Sequence, residues 1–326
     1  MHYRILLATI NGVVSVDVPG GPWHRMGRSL SAHNVTTIDA HDGNLLAGTA
    51  DGIFRSEDLG ETWAPASDGL TIGHVRWLSF HPEDGELAFA GTEPAAIFVS
   101  EDGGRHWESR PEVTDLRDEY EWSLPYSPAA GAVRGFAFHG DRGYAAVEQG
   151  GLLRSDDRGA SWAPAPGSEV RPNRTPNPAY LHPDVHSVLV HPSSPDTLFA
   201  ATGGGLYRSF DGGETWDELY DCYCRAVWVD PLKPDPENII LGPADGVDRD
   251  GRIERSLEAG RTWQSIAGPL DTPWPNKMVE RFVQFDDQLI TILSNGDLLI
   301  TALAEINWRR VVEDVDGIND AAAVEV

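Results

Sequence analysis

Three arginines stand where binding chemistry is easiest to build: Arg76 in "HVRWL", Arg134 in "AVRGF" and Arg225 in "YCRAV". Each enters a run of alternating apolar residues, in a chain holding 25 basic against 51 acidic residues. A guanidinium offers a planar fork of donors, so three brought together would capture a carboxylate or phosphate. Two acids accompany them, Glu93 in "GTEPAA" and Glu148, followed by Gln149, in "VEQGG". Two carboxylates about 5–9.5 Å apart serve glycoside hydrolysis, one of them needing a raised pKa. His186 is the natural general base beside them. The same arginines would hold Glu93 and Glu148 ionised, so a buried network pairing Arg76 and Arg134 with those two acids is the structural alternative.

Metal chemistry is less well supported. His182, His186, Cys222 and Cys224 are ligand types, but nothing in their spacing sets a geometry. Two cysteines in "DCYCRA" build no disulfide framework and read as small buried residues. "DGVDRDG" (245–251) lacks an acid at the first position of a calcium loop. No metal and no cofactor is expected.

The elements that must position these residues come from a repeat. The octet "SFDGGETW" (209–216) recurs as "SEDLGETW" (56–63), "SEDGGRHW" (100–107), "SDDRGASW" (155–162) and "SLEAGRTW" (256–263). Degenerate copies are "SVDVPGGPW" (15–23) and "TALAEINW" (301–308). The closing Trp23, Trp63, Trp107, Trp162, Trp216, Trp263 and Trp308 are spaced by 40, 44, 55, 54, 47 and 45 residues. Such a period means a solenoid, a propeller or an array. Within a unit, "DVHSVLVHP", "TLFAAT", "GLYRSF" and "TWDELY" read as four short strands with tight turns, and no unit shows a helical stripe. Four antiparallel strands per unit is the blade of a β-propeller.

Aligning the inner strands predicts an all-β chain forming one propeller domain over 1–326, with seven blades of four antiparallel strands. The blades fall near 317–326 with 1–26, 33–66, 74–110, 133–165, 185–219, 224–266 and 279–311. The C-terminal strand joins the N-terminal blade and so removes free sheet edges. The alignment places one residue per blade at an equivalent inner position: Thr36, Arg76, Arg134, His186, Arg225, Glu280 and Asn319. Two long connections, 108–132 and 163–184, face the same channel mouth. They carry Trp122, Tyr126 and Tyr180, and with their prolines read as ordered lips rather than disordered segments.

The octet resembles the Asp box of the bacterial neuraminidase repeat, S-x-D-x-G-x-T-W. The resemblance implies a sialidase-like propeller in which the box joins the third and fourth strands of a blade. Asp58, Asp102, Asp157 and Asp211 would then cap turns, and the tryptophans would wedge between blades. Sialidases hold a sugar carboxylate with an arginine triad beside a Tyr/Glu nucleophile pair. Their R-I-P motif is absent here, their six blades differ from the seven counted, and a Tyr126 or Tyr180 pairing with Glu148 is a guess. Asp-box propellers also include tandem-propeller xyloglucanases, the photosystem II assembly factor family and sortilin-type receptors. Two functions follow. One is binding of a small anionic molecule or sugar acid by Arg76, Arg134, Arg225, Gln149, Glu280, Asn319, Trp122, Tyr126 and Tyr180, with hydrolysis by Glu148, His186 or Glu93. The other is a non-catalytic protein-interaction platform.

Composition bounds the partners. A formal net charge of -26 argues against nucleic acid. No apolar run is long enough to cross a membrane as a helix. The first residues read as a strand rather than a leader, which predicts a cytoplasmic location, and a monomer is expected. The only lysines, Lys233 and Lys277, together with the acid excess, resemble salt-adapted chains.

Overall fold

Runs of five to nine β-branched and small apolar residues, cut by glycine and aspartate turns, can satisfy their backbone only by pairing with one another. They do so in seven four-stranded antiparallel sheets. The structure, a computed structural model, describes residues 2–326 except 19–22, 128–130, 173–178, 234–235 and 313. The turn of the first degenerate box, 19–22, lies outside the described residues.

The seven inner strands are Val35–His41, Val75–His81, Ala132–His139, Val185–His191, Tyr223–Val229, Val279–Phe285 and Ile318–Glu325. The last of these pairs with Tyr3–Thr9 in the sheet that also holds Gly12–Val18 and His24–Ser29, so the two ends of the chain share one blade as expected. Second strands such as Ser194–Thr202 and Ile239–Ala244 are buried on both faces, which suits their near-continuous apolar sequence.

The core lies between neighbouring blades. Phe89 stacks on Phe138, and Trp162 stands edge-on to Phe89. A glycine lets the backbones approach where a second strand meets the next inner strand. A Cβ on Gly91 would sit 2.5 Å from Val133, and one on Gly242 would sit 2.4 Å from Val279. At the far end of four of the inner strands a histidine ties the blade to the next. His41, His81, His139 and His191 reach the carbonyls of Pro82, Gly140, Pro192 and Asp230 at 2.9–3.3 Å.

The Asp box is a turn of one construction. In 209–216 the Ser209 hydroxyl donates to Asp211 at 2.7 Å and accepts the Gly213 N–H at 2.9 Å. Asp211 also accepts the N–H and the hydroxyl of Thr215, at 2.9 and 2.6 Å. Gly213 takes a φ of +89°, where a side chain is strained. The Asp58, Asp102 and Asp157 boxes repeat this pattern. The closing tryptophans Trp107, Trp162 and Trp216 are buried, while Trp63 and Trp263 are half-buried. Even the worn seventh box keeps its wedge, since Trp308 is 1% exposed.

One expectation fails. No unit of the repeat shows a helical stripe, yet Pro111–Glu119 in the connection 108–132 forms a helix. Pro111 sets the first-turn φ, Glu112 faces the positive helix end, and Val113 and Leu116 pack on the inter-blade core.

Candidate functional site

The mouth residues owe their position to a defect repeated seven times. Each inner strand carries one extra residue relative to its partner. Register jumps from Val35 to Thr37, Val75 to Trp77, Val133 to Gly135, Val185 to Ser187, Cys224 to Val227, Val279 to Arg281 and, in the closing pair, between Ala8 and Thr9. The extra residues are the aligned polar set: Thr36, Arg76, Arg134, His186, Arg225, Glu280 and Asn319. A β-bulge bends the strand and re-aims side chains that strict alternation would point at a neighbouring sheet. Ladder pairing of Val75 with Thr92 and of Ala132 with Glu148 then brings the turn acids Glu93 and Glu148 to the same end of the channel.

The arginines meet carboxylates there. Arg76 Nη1 lies 3.2 Å from Glu93 Oε2. Arg134 lies 3.2 Å from Glu148 Oε2 and reaches across the channel to Glu280 Oε2 at 3.5 Å. Arg225 pairs with the other Glu280 oxygen and donates to the Tyr223 hydroxyl at 3.0 Å. The network left open as the structural alternative is thus the arrangement formed, extended by Glu280. Burial pushes the Glu280 carboxyl up, but Arg225 and Arg134 outweigh it and hold it below the usual carboxylate range. Below these pairs the channel encloses about 380 Å³, with Phe136, Val188 and Phe282 among its lining residues.

Tyr126 closes the mouth over this network. Its hydroxyl lies 3.2 Å from both Glu148 oxygens while the residue as a whole is 58% exposed. Partial burial and the Glu148 charge push its pKa up to about 12. Tyr180 is exposed at 37%. Trp122 is not at the surface: it is 2% exposed, donates to the Val170 carbonyl at 2.8 Å, and fastens one long connection to the other. Gln149 occupies a left-handed turn position, φ +62°. Thr36 and Asn319 bond backbone carbonyls, to Val75 at 2.5 Å and to Val35 at 2.8 Å, and so serve the inter-blade seam.

Three residues that alternation assigned no role also belong to this region. Arg281 and Asp320 follow bulge residues and line the same channel. Asp184, two residues before His186, stands 3.4 Å from its Nε2. Burial pushes the Asp184 carboxyl up, but His186 and His182 outweigh it and hold it at about 2. Cys224 instead gives its thiol to the Thr202 carbonyl, and the cysteines take no part in a ligand cluster among the described residues.

A BNR/Asp-box repeat model matches residues 207–218. The chain is a seven-bladed Asp-box β-propeller. It is 23% identical over 262 residues to a xyloglucanase of Hypocrea jecorina, covering 66% of this chain and 29% of that protein. The Asp-box propeller spans less than a third of the length of the sequence relatives it matches. Among solved structures, the GH74 xyloglucanase of Xanthomonas campestris superposes with a TM-score of 0.62 at 16% identity, over 96% of this chain and 47% of that one. A structure titled "YCF48 bound to D1 peptide" superposes with a TM-score of 0.61 at 16% identity, over 95% of this chain and 89% of that one. These likenesses establish the fold.

Proposed function

We propose that this propeller is a non-catalytic recognition module whose channel mouth, with the connections 108–132 and 163–184, holds a segment of a protein partner. The observation that carries this reading is the neutralisation of the mouth: Glu93, Glu148 and Glu280 each ion-pair with an arginine. A two-carboxylate hydrolase needs a protonated acid at working pH, and adjacent guanidiniums favour the ionised form. A bare arginine triad for a small anion is likewise replaced by internal pairs. What the mouth offers outward is aromatic surface, Tyr126 and Tyr180, the kind of surface enriched at protein interfaces. The YCF48 structure, a propeller matched over nearly its whole length, carries a peptide according to its title, which favours the same use here. Cross-linking mass spectrometry in native lysate tests it. A stoichiometric partner cross-linked at 108–132 or 163–184, and at least tenfold less of it with Tyr126→Ala, Tyr180→Ala, is the expected result. A partner set indifferent to both substitutions would refute it.

A second reading rests on one specific contact. Tyr126 on Glu148 beside Arg134 resembles the Tyr/Glu pair of sialidases, and xyloglucanases are among the sequence relatives. On that reading the mouth binds a sugar acid and Tyr126 is the nucleophile. Release of the aglycone from aryl sialosides or aryl glucosides, abolished by Tyr126→Phe, would favour it over recognition.

A further inference from the structure

We infer that Glu148, Asp184 and His186 form a binding site for one first-row divalent cation, zinc or manganese, at the channel mouth. One donor atom from each lies within 4.8 Å of the others. Ligand bonds of about 2.0–2.2 Å bring such a triplet onto one ion after small side-chain rotations. The three come from rigid elements: Glu148 ends a second strand, His186 occupies the bulge of the next blade's inner strand, and Asp184 is anchored by the Gly203 N–H on its carbonyl at 2.9 Å.

The imidazole is the independent sign. His186 is 2% exposed, and neither ring nitrogen has a hydrogen-bond partner among the described residues. Its Nε2 faces Asp184 at 3.4 Å without hydrogen-bond alignment, and Asp184 Oδ1 is unpartnered as well. A buried imidazole with two idle nitrogens is costly unless something accepts its lone pair. A cation seated between Nε2 and the two carboxylates would satisfy the Nε2 lone pair and the carboxylate oxygens together.

The surrounding charges are compatible. Arg134 takes Glu148 Oε2 and shares its charge with Glu280, so Glu148 Oε1, whose one hydrogen bond among the described residues is from the Tyr126 hydroxyl at 3.2 Å, keeps a lone pair for a cation. One imidazole with two carboxylates suits zinc and manganese, whereas calcium and magnesium prefer oxygen alone. The site goes beyond the recognition reading, and its test reads metal content rather than partner capture, so either can fail without the other.

The experiment is calorimetric titration of the chelator-stripped full chain with Zn²⁺ alone and Mn²⁺ alone, in excess Mg²⁺ to occupy the acidic surface. One site per chain is expected, weakened at least tenfold in His186→Ala and in Asp184→Asn. Thermal melts without metal establish that the variants fold. Co²⁺ loading of the wild type should show a paramagnetically shifted imidazole resonance, which needs no variant at all. Several weak sites indifferent to both substitutions, or cobalt loading with no shifted imidazole, would overturn the proposal.

Discussion

Arg281 and Asp320 close the ring: the guanidinium of the seventh blade's inner strand lies 2.8 Å from the carboxylate of the C-terminal strand. The same Asp320 oxygen accepts the Thr37 hydroxyl at 2.9 Å and the Ile38 N–H at 3.1 Å, from the blade on its other side. One 5%-exposed carboxylate thus joins three consecutive blades at the seam where the chain's two ends meet. Asp320→Ala strands a buried guanidinium and a buried N–H. Breaking a buried pair typically costs about 3–5 kcal/mol, so the midpoint of urea unfolding should fall strongly. A loss under about 1 kcal/mol would mean that the strand ladder alone holds the closure.

The Asp boxes predict where acid unfolds the protein. Hydrogen bonds from Thr62 hold Asp58 at about 2, and at Asp211 the bonds from Thr215 and Ser209 outweigh burial to the same end. Asp102 and Asp157 are lowered too. A carboxylate depressed in the fold contributes stability that is fully present above its unfolded value, near 3.8, and lost as pH falls through its folded value. These four turns therefore weaken together between about pH 4 and pH 2. Asp211→Ala removes one cap, a change worth about 0.5–2 kcal/mol at pH 7, and this difference from wild type should have shrunk markedly by about pH 2, the folded value of Asp211, and be gone about a unit lower. A difference that does not shrink as pH falls to about 2 would place the effect elsewhere.

Asp39 has the opposite sign. It lines the channel, and burial raises its carboxyl to about 6 against the pull of the Phe80 N–H, 2.8 Å away. A raised acid contributes stability that is present below the unfolded value and lost as pH rises through about 6. Asp39→Asn keeps an acceptor without the charge. It should be neutral at pH 4 and stabilising by on the order of 1–2 kcal/mol at pH 8. Melting curves at both pH values decide it.

The fold was legible because each blade repeats a turn with a fixed backbone demand and ends on a tryptophan that must be buried. The polar set was legible because bulged positions recur in register. What stayed hidden lies at the bulges themselves. Alternation puts Glu280 and Arg281 on opposite faces, yet both line the channel, and Arg281 with Asp320 went unassigned for that reason. Asp184 sits on the connection ahead of its strand, where periodicity says nothing. The helix Pro111–Glu119 escaped because nine residues with one buried side chain, Val113, leave no stripe to read. Whether the arginines met acids or solvent was a matter of a few ångströms, beyond the reach of residue type and spacing.

Net charge predicts a salt response. With -26 formal charges the compact state repels itself. Raising salt from about 0.1 to 1 M shortens the screening length from about 10 to 3 Å. The melting temperature should rise by several degrees over this range in sodium chloride, since surface ion pairs lost to screening are worth little individually. A flat or falling curve would show that paired surface charges, such as Arg142–Asp196 and Arg158–Asp84, outweigh the net repulsion.

Arg134 separates the mouth's structural work from its recognition work. Arg134→Met keeps the side-chain stem but leaves Glu148 and Glu280 facing each other with one guanidinium fewer. The loss should approach the 3–5 kcal/mol typical of a broken buried pair. Adding Glu148→Gln removes one of the stranded charges, so the double variant should recover part of that loss, a coupling a double-mutant cycle reads directly. Tyr126→Phe is the contrast: the residue is largely exposed, so losing the hydroxyl should change stability by no more than about 0.5 kcal/mol. If the mouth recognises a partner, Tyr126→Ala weakens binding while the melt stays near wild type, and Arg134→Met lowers the melt first. The reverse order, a large stability loss at Tyr126 and none at Arg134, would mean that the lip holds the propeller together and the ion pairs do not.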